Sequence, residues 1–125
     1  MPKPHSKGIN WLPDVEEHDY PAAESYLRII YPEATVAEML IRLRRVPIVQ
    51  FKAKDIFRAS RLSLLGVSNS HVEKDRNKIV ENKSLSPLLL VRDPQNGKVL
   101  IADGYHRMCA IYGFDEDAVI HCKIV

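Results

Sequence analysis

A chain of 125 residues, 46% hydrophobic and 27% charged, has room for one packed core with at most a small appended subdomain. That composition excludes wholesale disorder, collagen-like repeats and low-complexity architecture. Eighteen Lys and Arg stand against 16 Asp and Glu, a formal charge of +2 that argues against nucleic acid as the partner. No apolar run approaches the roughly 20 residues of a membrane span, and Met1-Pro2-Lys3-Pro4-His5 lacks the apolar core of a secretory signal. A cytoplasmic location without a membrane partner is therefore expected.

The first 18 residues, with prolines at 2, 4 and 13, read as an extended arm that is loose at its start and docks through Trp11 and Leu12. With the two residues that follow they form an arm over 1–20. The period then turns helical: Ala23, Tyr26, Leu27 and Ile30 fall on one face, Asp19 is placed to cap, Pro21 suits a first turn, and Pro32 stops the helix. Thr35-Val36-Ala37-Glu38 matches a capping box for a second helix with Val36, Met39, Leu40 and Leu43 inward. Residues 21–46 are thus predicted as a helical hairpin that must pack on the remainder, because neither helix is stable alone. Arg42, Arg44 and Arg45 on it read as a solvated face; together with Lys52 they carry a weaker reading as a DNA contact.

From Pro47 a mixed α/β domain is expected through 125. Ile48-Val49-Gln50-Phe51 has strand character, 52–65 is apolar but of no clear period, and 66–70 reads as a loop. Ser70-His71-Val72-Glu73 matches another capping box, opening a helix to about Asn82 with Val72, Ile79 and Val80 inward. Leu88–Val91 and Val99–Ala102 are strands joined by the turn Asp93-Pro94-Gln95-Asn96-Gly97. A helix from about Tyr105 to Tyr112 stops at Gly113, and residues 118–125 close with a strand. Cys109 and Cys122, thirteen positions apart without a CxxC partner, make neither a disulfide scaffold nor a zinc set, and the five histidines lack ligand spacing.

The chemistry concentrates in Ile101-Ala102-Asp103-Gly104-Tyr105-His106-Arg107. A buried strand ends, an acid and a glycine turn the chain, and a helix starts with His and Arg in its first turn. The unpaired N–H groups and macrodipole of a helix start attract anions. Gly104 admits close backbone approach, Arg107 offers a bidentate clamp, His106 can donate to the same oxygens, and Asp103 can orient a nucleophile or a magnesium-bound water. The same residues also read as plain cap chemistry, with Arg107 paired to Asp103 or Glu116.

Gly104-Tyr105-His106-Arg107, with Ala110 and the Ile120–Val125 strand, makes residues 47–125 resemble the ParB/sulfiredoxin-like superfamily. The motif is similar to the Gly-Cys-His-Arg of sulfiredoxin and to the Asp-Gly-x-His-Arg of the free-serine kinases of this fold. The resemblance implies a small mixed sheet flanked by helices, preceded here by the hairpin. It implies a nucleoside di- or triphosphate with Mg²⁺, held by Gly104, Tyr105, His106 and Arg107 and, from the start of the preceding helix, by Ser70 and His71. Asp103 becomes the candidate catalytic residue, acting near a small-molecule acceptor.

Tyr105 stands where sulfiredoxin needs its cysteine, and a phenol of pKa about 10 does not replace a thiolate, so sulfiredoxin activity is not expected. A partition-type ParB is not expected either, since no helix-turn-helix region follows Val125. Two readings remain: phosphoryl transfer to a small acceptor, or a non-catalytic nucleotide-dependent module whose hairpin recruits a protein partner. A kinase base would come from another segment, with His18, Asp19, Glu24, Glu33 and Glu38 the candidates, and the hairpin would then close the site as a lid.

Overall fold

Leu88-Leu89-Leu90-Val91 is apolar at every position because both faces of its sheet are covered. The computed structural model describes residues 8–66 and 68–125; the looseness expected of the first few residues, and position 67 of the expected loop, lie outside these. In chain order the elements are β1 (Asn10–Trp11), α1 (Asp19–Ile30), α2 (Glu33–Arg45), β2 (Val49–Lys52), α3 (Ala53–Ser60), α4 (Ser70–Val80), β3 (Ser84–Leu85), β4 (Leu88–Asp93), β5 (Lys98–Asp103), α5 (Tyr105–Phe114) and β6 (Val119–Ile124). Strands β2-β6-β4-β5 form one mixed sheet, parallel only between β4 and β6, and β1 pairs with β3 in parallel as a two-stranded sheet. The class is mixed α/β, as expected.

Strand alternation divides the core. Leu88 and Leu90 of β4, Val99 and Ile101 of β5, and Ile120 and Cys122 of β6 face α3, α4 and α5, where they meet Ile56, Ile79, Met108 and Ile111. Leu89, Val91, Leu100 and Ala102 face the other way, onto Tyr20, Ala23 and Leu27 of α1 and Val36, Leu40 and Leu43 of α2. The hairpin is therefore the second covering layer of the sheet, not a lid over the motif. No helix among the described residues is long and apolar enough to cross a membrane.

Several local expectations are corrected. α1 begins at Asp19, and the Asp19 side chain caps nothing; it is buried and accepts from Ser86 Oγ at 2.6 Å, a tertiary partner that displaces the local N–H. The buried stripe is Tyr20, Ala23 and Leu27, because the sheet is met on the Tyr20 side of the expected face, which leaves Tyr26 and Ile30, expected inward, exposed. α2 starts directly after extended Pro32, so Thr35 and Glu38 fall inside the helix and form no capping box.

For α4 the cap is Asn69, one residue before the expected Ser70. Its carboxamide oxygen accepts from the N–H of His71 at 3.0 Å and of Val72 at 3.3 Å. This helix ends at Val80, which is exposed and not inward, and Asn82 turns the chain at φ +60°. α5 runs through Gly113 to Phe114, because a glycine without positive φ does not stop a helix. The segment of unclear period resolves into α3, ended by Arg61 at φ +57°.

The arm docks as expected: the Trp11 ring stacks on His121 with centroids 5.0 Å apart, and Leu12 N donates to the Leu85 carbonyl at 2.8 Å. Buried Lys123 ties both hairpin helices to β6, donating to the Tyr20 hydroxyl at 3.2 Å and the Arg44 carbonyl at 3.1 Å, with Asp14 at 3.3 Å. Arg44 is not simply solvated, since it lies over the Tyr20 ring and pairs with Glu17.

Both cysteines are free and buried on the helix-covered face. Burial pushes the Cys122 thiol up to about 12 and raises that of Cys109, which keeps both protonated at neutral pH. Neither is expected to react with a thiol-specific disulfide reagent at pH 8 until the chain is unfolded, when both should. Prompt labelling of the native protein would contradict this burial.

Candidate functional site

β5 delivers Asp103 to the edge of the sheet, and the chain then turns at Gly104 with φ +107°. Only glycine fits there: a Cβ would lie 2.6 Å from Leu88 Cγ and 2.9 Å from Arg107 Nη2. The first bond of the α5 ladder runs from Met108 N to the Gly104 carbonyl at 2.9 Å, and no side chain caps the helix start. The positive end of the helix is thus presented at the glycine.

Arg107, one turn in, reaches back to Asp103 Oδ2 at 2.9 Å and to Asp19 Oδ2 at 3.5 Å. Of the two partners weighed from sequence, Asp103 is the one it takes; Glu116 lies beside Lys54, whose N–H donates to the Glu116 carbonyl at 2.9 Å. All three side chains are largely buried, and Arg107 Nε is buried without a hydrogen-bond partner among the described residues. Asp19 is held further by Ser86 Oγ and by His18 Nε2 at 3.3 Å, and Ser86 Oγ itself accepts from Glu16 N at 3.0 Å. Burial raises the Asp103 carboxyl above its usual range; Arg107 opposes that shift and Asp19 reinforces it.

In front of Gly104 lies a depression of about 180 Å³, lined by His71, Lys74 and Lys78 of α4 and by Gly104, Tyr105 and His106 at the start of α5, with Asp75, Asp103 and Arg107 completing its walls. The rings of His71 and His106 stand 4.9 Å apart. Burial, and then the neighbouring His71, lower the His106 pKa, while Asp75 opposes them. Burial likewise raises the Asp75 carboxyl, against the pull of Arg107, Lys78, His106 and Lys74. Tyr105 is among the lining residues, but its hydroxyl is committed to the Ser63 carbonyl.

Six of the seven residues singled out from sequence, Asp103, Gly104, Tyr105, His106, Arg107 and His71, come together here. Ser70 does not: it lines an adjoining depression of α4 with Glu73, Asn77 and Glu81, which shares Lys74 and Lys78 with this one. Among the five residues considered as a base, Asp19 joins the motif and His18 touches it through Asp19, whereas Glu24, Glu33 and Glu38 are exposed on the hairpin. Lys74, Asp75, Lys78 and Ser86 were missed. His71, Lys74 and Lys78 recur at i, i+3 and i+7, so their shared face was readable in the sequence. Ser86 carried no signal. Among the described residues no cluster of three or more His, Cys, Asp or Glu is arranged to hold a metal ion.

These features define a mixed α/β domain with hairpin and helix layers on opposite sheet faces and an uncapped, glycine-opened helix start facing a basic helix. No protein-family model, curated protein or solved structure matches the chain.

Proposed function

We propose that the protein binds the phosphate groups of a nucleoside di- or triphosphate at the start of α5, in a domain of the ParB/sulfiredoxin type. The observation that carries this reading is the convergence of His71, Lys74 and Lys78 on the uncapped helix start that Gly104 opens. The three side chains line a row of about 10 Å along α4, long enough for successive phosphates. A depression of about 180 Å³ takes phosphates only, so the ribose and base lie outside it. Mg²⁺ fits the donor set in the way usual for phosphate-bound magnesium, with one or two carboxylates, here Asp75 and Asp103, and the rest from phosphate and water.

In the catalytic form of this reading, Asp103 orients an acceptor and the cations of α4 stabilise charge on the transferring phosphoryl group. One observation favours the non-catalytic form instead: Asp103 and Arg107 are bound to each other and to Asp19, so both of the motif's reactive groups are occupied in holding the fold.

A thermal-shift series with ATP, ADP, CTP and GTP plus magnesium tests the binding. A nucleotide at a hundred times its Kd stabilises by about 2.7 kcal/mol, a rise of several degrees for a domain this size. The control is Lys74→Ala with Lys78→Ala, two changes on the α4 surface that remove the cations without disturbing the core. The shift should be lost in that variant, and release of phosphate or ADP by the wild type separates the two forms. No shift with any of the four nucleotides would overturn the proposal. Affinity should also rise as pH falls below 6.5, because a bound anion favours protonation of His106, whose pKa burial has lowered. A titration with sulfate, which stays a dianion between pH 8 and 5.5, reads that dependence.

A further inference from the structure

The sheet runs past the cover of α3 at the end of β5 far from Gly104. There Leu90, Val99 and Ile124 floor a cavity of about 430 Å³, walled by Ile56 of α3 and Phe51 of β2. Along β4 the side facing the helices carries Leu88, Leu90 and then Arg92, a charge at the register position where a covered strand would place another apolar side chain. Lys98 lines the same cavity. Arg61 closes over its rim at Gly97, with Nη2 3.4 Å from where a Gly97 Cβ would stand.

None of Arg61, Arg92 and Lys98 has an ion-pair partner among the described residues, whereas Asp55, the carboxylate on this lining, is paired with Arg58. An apolar floor with three unpaired cations around its mouth is complementary to a molecule that is apolar at one end and anionic at the other. We propose that this cavity binds a small free carboxylate with an apolar body, of the medium-chain fatty-acid class. Its hydrocarbon lies on Leu90, Val99 and Ile124, and its carboxylate meets Arg92, with Lys98 and Arg61 at the rim. The volume falls within the range of small-molecule sites. This site is independent of the phosphate reading, being about 17 Å away along β5.

The test is calorimetry with decanoate below its micelle concentration, with decanol and decyltrimethylammonium as matched neutral and cationic probes. The proteins are wild type, the double variant Arg92→Gln with Lys98→Gln, and Ala59→Phe, which fills the mouth from an exposed position on α3. Melting temperatures of both variants should stay near wild type. Decanoate should bind the wild type and bind the double variant at least tenfold more weakly. The phenylalanine variant should not bind it, and decyltrimethylammonium should not bind at all. Absence of decanoate binding, equal binding of the cationic probe, or an unchanged Kd in the double variant would overturn the proposal. Sedimentation at rising protein concentration adds one further outcome: a dimer indifferent to decanoate but broken by Ala59→Phe would assign the cavity to a second copy of the chain and overturn it as well.

Discussion

Arg107→Ala is expected to destabilise the protein by about 3–5 kcal/mol, the usual cost of removing one partner from a buried ion cluster. Side-chain exposures are 17% for Arg107, 5% for Asp19 and 18% for Asp103, so two carboxylates would be left facing each other with little water to screen them. The loss should depend on pH with a definite sign. Burial and Asp19 already raise the Asp103 carboxyl above the ordinary carboxylate range, and deleting the opposing Arg107 raises it further. A group whose folded pKa is raised binds its proton more tightly in the folded state. Its penalty is therefore absent at low pH and grows as pH rises through the raised value. The difference between wild type and Arg107→Ala should accordingly be largest at neutral pH and shrink toward pH 4.

Adding Asp103→Asn to Arg107→Ala should recover part of the loss at neutral pH, since only one charge is then stranded. Urea midpoints for the three proteins between pH 8 and 4 measure all of this. A loss under 1 kcal/mol at pH 7 would show that the cluster is hydrated and not a structural element. The consequence for function is practical: failure of Arg107→Ala to bind a nucleotide would not show that Arg107 touches it, which is why the surface lysines of α4 are the better probe.

Gly104→Ala should be the other severe substitution, although it adds a single methyl. At φ +107° an L side chain is strained, at a cost of about 1–3 kcal/mol. The new Cβ would also lie 2.6 Å from Leu88 Cγ and 3.1 Å from Leu88 Cδ1. Leu88 is fully buried in the central strand β4 and cannot move aside, so overpacking adds about 1–3 kcal/mol more. The same methyl would crowd Arg107 Nη2 at 2.9 Å and so loosen the ion cluster. Gly66→Ala is the internal control, because a Cβ there meets nothing within 4 Å and its φ is not in the left-handed range. Equilibrium unfolding of the two variants should differ by several kcal/mol; similar midpoints would mean that the 103–105 turn relaxes.

Much of this was readable without coordinates where neighbours in sequence are also neighbours in energy. The unbroken apolar run Leu88–Val91 marked a buried strand, and Gly104 between a strand and a helix with His and Arg in its first turn marked the turn that opens α5. The helical hairpin followed from two periodic segments around Pro32, although Asp19 was expected to cap its first helix and does not. That error is instructive. Asp two residues before Pro is a good cap by local chemistry, but Ser86 and Arg107, 67 and 88 residues away, offer a buried carboxylate more than one backbone N–H does.

By itself the sequence determined the α/β class, the order of the main strands and the position of the glycine-opened helix start, because these depend on periodicity, proline and glycine within short windows. Only the tertiary structure decided that Asp19 of the first helix completes the Arg107 cluster, that the His71, Lys74 and Lys78 face of α4 meets the start of α5, and that the hairpin covers a sheet face. Each of these depends on which distant segments meet when the two faces of β4 are buried. Such pairings are selected by the packing of the whole chain, and no local pattern encodes them.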